Sequence, residues 1–108
     1  GSSSAACADL ILDSVKRDAD HRADLITLLP TMYRDASGDQ ANRILGVVQE
    51  MLNDNAQEPA VRLRASHALA DIGSPNSVEV IQGAMLREGD LQMRSDFQSD
   101  LNALKKKH

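Results

Sequence analysis

Apolar side chains recur every three or four residues in six stretches of the chain, the spacing of one face of an α-helix. Short polar segments rich in Gly, Pro, Ser and Asp separate these stretches, and such residues end helices and form turns. The pattern predicts helices at about residues 5–19, 21–35, 40–53, 59–72, 75–87 and 90–105.

The apolar stripe of each helix is the surface expected to face the core. Pro30 lies inside the second stripe. Because proline removes a backbone donor and clashes with the preceding turn, we expect a kink there or a break into two shorter helices. From the first helix to the last, the predicted stripes are Cys7, Leu10, Ile11 and Val15; Leu25, Leu28, Leu29, Met32 and Ala36; Ile44, Val47, Val48, Met51 and Leu52; Val61, Ala65, Ala68, Leu69 and Ile72; Val78, Ile81, Ala84 and Met85; Met93, Phe97, Leu101 and Leu104.

Helix ends are marked by residues with a defined role in capping. Gly38 suits a left-handed C-terminal cap, and Asp39 suits the N-cap of the next helix. Pro59 suits the first turn of the fourth helix. The run 73–75, Gly-Ser-Pro, combines a helix stop, an N-cap and a first-turn proline, and Gly89 with Asp90 repeats the stop and the cap. These signals predict tight turns between antiparallel helices.

The composition supports helices and opposes sheets. Hydrophobic residues make up 42% of the 108 residues, enough for one domain with a core, whereas aromatic residues are only 2%, namely Tyr33 and Phe97. Sheets recruit aromatic and β-branched side chains, so a β-sandwich or barrel is excluded. The single cysteine, Cys7, excludes an internal disulfide framework and a zinc site with several thiolates.

The charge balance argues against polyanionic partners. The formal net charge is −4, and no apolar run is long enough to cross a bilayer. Arg62, Arg64, Arg87 and Arg94 fall in the second half of the chain, but no aromatic residues suited to base stacking accompany them. We therefore interpret these arginines as solvated groups or salt-bridge partners, and we expect neither nucleic-acid binding nor a membrane span.

Residues 1–4 have the composition of a flexible leader or a cloning remnant, and residues 5–108 are expected to form one domain. Cys7 follows small residues, an arrangement found at bacterial lipoprotein processing sites, although no hydrophobic signal segment precedes it. On this basis a lipidated or exported start is one alternative. The other is that Cys7 is a small buried residue of the first helix.

Two groups of polar residues are candidate sites of chemistry. His67 and Asp71 lie one helical turn apart, but the helical spacing places no nucleophile on the same face, so a solvent-facing pair is the preferred interpretation. Segment 18–24 carries Asp18, Asp20, His21 and Asp24, without the spacing of a calcium loop or a zinc helix. We therefore predict no catalytic residue, no metal and no cofactor, and a small-molecule ligand is not expected.

Two pairs of helices resemble each other in sequence. The third helix matches the fifth at an offset of 34 residues, and the fourth matches the sixth, more weakly, at an offset of 30. Offsets in this range are typical of helical solenoids, in which each helical pair buries its apolar face against the next pair.

Segment 61–85, VRLRASHALADIGSPNSVEVIQGAM, resembles a HEAT repeat, in particular the short bacterial type found in phycobilisome lyase proteins. Segment 28–35 resembles the proline-kinked helix of such a unit. The first and last helices depart from the pattern and would serve as capping helices. The resemblance implies an all-α, HEAT-like α-solenoid or a compact helical array of about six antiparallel helices.

The same resemblance implies a non-catalytic scaffold or adaptor that binds another protein. Its working surface would be the concave side, formed by the second helix of each pair, and Glu79, Gln82 and Arg87 are the candidate binding residues. One alternative is a small exported or lipid-anchored accessory or chaperone subunit of a larger assembly. A further alternative is a lyase-associated role with bilin-type substrates. The expected location is the cytoplasm if the protein is a scaffold. If it is an accessory subunit, we expect it to be exported or lipid-anchored.

Overall fold

The chain was analysed in a computed structural model that describes the backbone of residues 2–108 and the side chains of residues 6–108. Within that part of the chain every regular element is an α-helix, which confirms the all-α prediction. The helices are α1 Ser2–Arg17, α2 Arg22–Ile26, α3 Leu29–Asp35, α4 Gly38–Asn53, α5 Pro59–Ile72, α6 Ser77–Arg87 and α7 Leu91–Lys106.

The second predicted helix is broken at its proline. Pro30 is buried in the first turn of α3, and α2 ends four residues earlier at Ile26. Because Pro30 has no N–H to donate, the helical hydrogen bonds cannot run through this point. The two predicted outcomes were a kink and a break, and the break is what forms. Counted as one broken helix, α2 and α3 bring the total to the six that the pattern predicts.

Three helical hairpins lie side by side in two layers. The first hairpin joins α1 to α2 and α3, the second joins α4 to α5, and the third joins α6 to α7. We call α1, α4 and α6 the first-helix layer and α2, α3, α5 and α7 the second-helix layer. The molecule measures 42 × 33 × 16 Å, and the smallest dimension fits two layers of helices packed about 10 Å apart.

The core is the single layer of apolar side chains between the two layers of helices. In α4 and α7 every residue of the predicted stripe is buried. Ile72, Val78 and Met85 of the neighbouring stripes are half-buried and pack against it. The largest wholly buried side chains are Phe97, Ile26, Leu29, Ile44, Leu52, Leu69, Ile81, Leu101 and Leu104.

Three residues of the predicted stripes lie outside the core, so these predictions were wrong. Cys7 is exposed, Leu10 is 69% exposed and Leu28 is 47% exposed. In α1 the chain buries Ala8 and Leu12 instead. Two residues along a helix rotate a side chain by about 200°, so Leu10 faces away from both. Because the sequence around Leu10 is apolar on two faces, its spacing could not decide which face turns inward.

Several predicted helix ends are confirmed. Gly73 ends α5 in the left-handed conformation, with φ of 81°. Asp90 is the N-cap of α7, and its side chain accepts a hydrogen bond of 3.0 Å from the backbone N–H of Met93. Pro59 is the first residue of α5. These residues set the direction in which the chain re-enters each layer.

Two predicted helix starts differ from the structure. α3 ends at a cap formed by Ala36, and Gly38 is the first residue of α4 rather than the stop before it. Asp39 therefore lies in the first turn of α4 instead of at its N-cap. α6 begins at Ser77, because Pro75 is used in a turn in which Ser77 N–H donates to the Ser74 carbonyl at 3.0 Å. Proline suits that turn as well as it suits a first helical turn.

When corresponding helices are aligned by their buried positions, the repeat offsets differ from those found by comparing residue types. Buried Ile44, Val48 and Met51 of α4 correspond to buried Ser77, Ile81 and Ala84 of α6, an offset of 33 rather than 34. The α5 positions Val61, Ala65 and Leu69 correspond to Met93, Phe97 and Leu101 of α7, an offset of 32 rather than 30. The sequence comparison matched residue types such as Asn, Met and Arg, whereas the helices are equivalent by the face that they bury. Corresponding helices lie in the same layer.

Candidate interaction surface

The outer face of α4 is an exposed strip at the centre of the first-helix layer. Its side chains recur every three or four residues and so share one side of the helix. We call this strip the α4 face. It consists of Asp39, Asn42, Arg43, Gly46, Gln49, Glu50 and Asn53, all exposed except Gln49, which is half-buried.

Two shallow grooves run along the α4 face and meet at its middle. One lies between α1 and α4, with Leu12 and Val47 at its floor. The other follows α4 from Gly46 to Asp54. Gly46 and Glu50 line both grooves. A partner segment resting in either groove would therefore contact the same short stretch of α4.

Gly46 lies in the interior of α4 where the fold itself does not require a glycine. Its φ is not in the left-handed region, and a Cβ built on its backbone would meet no atom within 4 Å. Glycine inside a helix costs about 0.5–1 kcal/mol relative to alanine. The missing side chain instead leaves the backbone of α4 open to close approach from outside.

The charged groups of the α4 face are exposed and weakly held. Arg43 contacts Asp9 of α1 at 3.2 Å and donates to the Gln40 side chain at 2.8 Å. Exposed pairs of this kind contribute about 0–1 kcal/mol, so their side chains are free to exchange partners. Glu50 and Lys16 make no ion pair within the side chains that the structure describes.

The predicted binding residues Glu79, Gln82 and Arg87 are all exposed on α6. Arg87 donates to the Asn55 side chain at 3.3 Å. α6 packs against α7 as the first helix of the third hairpin, so these residues belong to the first-helix layer. The HEAT-like resemblance predicts a working surface on the second helix of each pair, and the sequence left the pairing of the helices open. In the structure Glu79, Gln82 and Arg87 lie on a first helix, so they do not belong to the layer of second helices.

His67 and Asp71 do not pair with each other. Asp71 accepts a hydrogen bond of 2.8 Å from Arg34 of α3. His67 Nδ1 lies 2.7 Å from Asp100 Oδ2 of α7, and the buried Ser66 hydroxyl donates to the same oxygen at 2.7 Å. The Asp100 side chain is only 13% exposed, and its contacts with Ser66 and His67 replace the hydrogen bonds to water that it loses. These groups link α5 to its neighbours, and the Ser66 hydroxyl points to a carboxylate rather than to a histidine base.

Residues 18–21 form the turn between α1 and α2, and the rest of segment 18–24 lies in α2. Asp18 Oδ2 lies 2.8 Å from His21 Nδ1, and Asp18 Oδ1 accepts the His21 backbone N–H at 3.3 Å. The hydrogen bond between the His21 ring and the Asp18 carboxylate, which accepts it, raises the pKa of His21 and lowers the pKa of Asp18. Among the residues described, no three His, Cys, Asp or Glu side chains come together in a way that could hold a metal ion.

The sequence analysis did not find the polar contacts that join successive hairpin turns. Arg22 donates to the Val15 carbonyl at 2.6 Å and to the Gln57 side chain at 2.9 Å. Arg62 pairs with Glu88 in the turn of the next hairpin, and their side chains are only 17% and 9% exposed. The prediction that the arginines include salt-bridge partners is confirmed for Arg62. In the sequence these contacts are marked only by an arginine near the start of α2 and of α5. The sequence does not identify the groups that accept hydrogen bonds from these arginines.

The pKa of Glu88 lies below its usual range. The main cause is the backbone N–H of Asp90, which donates to Glu88 Oε2 at 3.1 Å, and Arg62 acts in the same direction. Both donors stabilise the carboxylate over the carboxylic acid. The turn between α6 and α7 is therefore held by a charged side chain.

Comparison with protein-family models, curated proteins and solved structures finds no match to this chain. No helix among the described residues combines the length and apolar character that a bilayer span needs. The interpretation of the surface therefore depends on its own geometry.

Proposed function

We propose that this chain is a non-catalytic protein-interaction module of HEAT-repeat type, and that it binds its partner through the outer face of the first-helix layer. The observation that carries the proposal is the α4 face, where two grooves meet over a glycine that the fold does not need. Both grooves are shallow and lined mostly by polar side chains, so a helix or an extended segment of another protein would contact them chiefly through complementary polar and charged groups.

The HEAT-like segment 61–85 supports the proposal, because it spans α5, the following turn and most of α6. The layered arrangement supports it as well. Hairpins stacked side by side present broad outer faces, and helical-repeat proteins use such faces for binding. Glu79, Gln82 and Arg87 extend the proposed surface from α4 onto α6.

Site-specific photo-crosslinking tests this function. A photoreactive residue placed at Gln82, on the first-helix layer, is compared with one placed at Gln98, which is also exposed but lies on α7. We expect covalent adducts with a protein from the source cell at position 82 and few at position 98. No protein adduct at position 82, or equal labelling at both positions, would overturn the proposed surface.

A further inference from the structure

We propose that the α4 face binds a second copy of this chain, with the two α4 helices packed antiparallel and crossing at Gly46. The inference rests on the proposed function, because it names the partner of the same surface. It is carried by the order of side chains along α4. When two α4 helices lie antiparallel, charged and polar side chains of one copy face complementary side chains of the other.

The first complementary pair is Arg43 with Glu50. Arg43 precedes Gly46 by three residues and Glu50 follows it by four, so at 1.5 Å per residue they lie about 4.5 and 6 Å from the crossing point. When one helix is reversed over the other, Arg43 of each copy meets Glu50 of the other. Both side chains line the groove beside α1, which places them on the same side of the helix. A two-fold axis that lies between the helices and runs perpendicular to them places this side of one α4 helix against the same side of the other. The ion pair between Arg43 and Glu50 therefore forms twice.

The second complementary pair is Asn42 with Gln49. These residues are also seven positions apart, which places them on one side of α4, opposite to Arg43 and Glu50. The Gln49 side-chain nitrogen already donates to Asn76 at 3.1 Å and Ser77 at 3.2 Å. This leaves its carbonyl oxygen to accept from Asn42 of the second copy. The polar groups on both sides of Gly46 therefore have partners in the antiparallel arrangement.

Gly46 explains how the two helices approach. With no side chain at the crossing point, the backbones come close enough for flanking side chains to pair. Among the side chains of residues 6–108, the carboxylate that competes for Arg43 is that of the exposed Asp9, so little is lost when Arg43 turns to a second copy. The proposed contacts are exposed ion pairs and polar groups, each of which contributes little, so we expect reversible association with a dissociation constant of about 10–1,000 μM.

Charge reversal on the full-length chain tests the pairing. Sedimentation velocity across a concentration series is recorded for wild type, for R43E, for E50R and for the double variant R43E/E50R. We expect wild type to dimerise, each single variant to lose at least about tenfold in association constant, and the double variant to recover. An equimolar mixture of R43E and E50R should form a heterodimer, because each chain then supplies the charges that the other requires.

R17E is the matched control, since it makes the same charge change at an exposed arginine of α1 that pairs within its own helix. It should dimerise as wild type does. G46Q should abolish dimerisation while the helix content and the melting temperature are maintained, which separates lost association from lost folding.

The proposed dimer is overturned if wild type is monomeric throughout, if the single variants dimerise normally, if the double variant and the mixture do not recover, or if R17E weakens association equally. A monomeric chain that still gives crosslinks to another protein from position 82 would overturn the dimer and leave the interaction function standing. A monomeric chain with no crosslinks would overturn both.

Discussion

Among single residues, Glu88 shows how an enclosed charge holds a turn. Its carboxylate accepts from the Asp90 backbone and pairs with Arg62, while little of the side chain reaches water. Replacing it with a neutral group removes a hydrogen bond between charged partners and leaves Arg62 without its carboxylate. Such losses cost about 1–3 kcal/mol.

The first prediction is that Glu88→Gln lowers the free energy of unfolding by about 2 kcal/mol near neutral pH. Because folding lowers the pKa of Glu88, its contribution is present above the pKa of the unfolded chain and is lost as the pH falls through the lowered value. Urea unfolding at several pH values should show wild type converging on the variant in acid. Glu79→Gln, on the exposed face of α6, is the control and should change little at any pH.

The second prediction concerns the His21 imidazole, whose pKa is raised by Asp18. Proton-detected NMR titration should give His21 a higher pKa than an ordinary histidine, and Asp18→Asn should return it towards the usual range. The stabilisation from this pair is present while His21 is charged and is lost as the pH rises through its raised pKa. An unchanged His21 pKa in Asp18→Asn would show that the contact is not made in solution.

At the scale of elements, a glycine inside a helix and a glycine at a helix end have opposite roles. Gly46 has open space around it, whereas Gly73 has a positive φ, and a Cβ there would lie 3.1 Å from the Lys107 side chain. The third prediction is that Gly46→Ala stabilises the fold by about 0.5–1 kcal/mol, while Gly73→Ala destabilises it by about 1–2 kcal/mol. Thermal and urea unfolding of the two variants measure this directly. Destabilisation by Gly46→Ala would mean that the fold does require the glycine.

The sequence predicts the elements well where apolar residues occupy one face only. In α4 and α7 the periodic pattern identifies every buried stripe residue, and Pro30 identifies the position of a break. The pattern fails for Leu10, where two faces are apolar, and for Pro75, which fits both a turn and a first helical turn. Local sequence cannot settle such choices, because packing against distant helices decides them.

The candidate surface was predictable in part. Exposure of Glu79, Gln82 and Arg87 follows from the helical period, but their layer depends on whether α6 pairs with α5 or with α7. That choice involves contacts between helices, and the spacing of residues within one helix contains no information about it. For the same reason the sequence could not identify Asp100 as the partner of His67.

For the whole molecule, the thin core makes individual large side chains important. Phe97 of α7 is wholly buried, whereas Tyr33, the other aromatic residue of the chain, is only half-buried. In a core one side-chain layer deep, few neighbours can move to fill the space that its ring would leave.

The fourth prediction is that Phe97→Ala lowers the free energy of unfolding by about 3–5 kcal/mol, because the cavity adds to the lost burial. Leu91→Ala is the control in the same helix: Leu91 is 77% exposed, and a change within about 0.5 kcal/mol is expected. Urea unfolding followed by circular dichroism measures both. Equal losses in the two variants would contradict the assignment of Phe97 to the core.

The side-by-side order of the hairpins also determines how the chain reaches its folded state. Each hairpin packs against its neighbour in sequence, and the first and third share no substantial contact. Most contacts therefore join residues close along the chain, which is the condition for rapid folding. The middle hairpin, α4 with α5, has a neighbour on both sides, whereas either outer hairpin can open without separating the other two, so we expect the middle hairpin to unfold last. The face proposed to bind a second copy thus belongs to the part of the molecule that unfolds last.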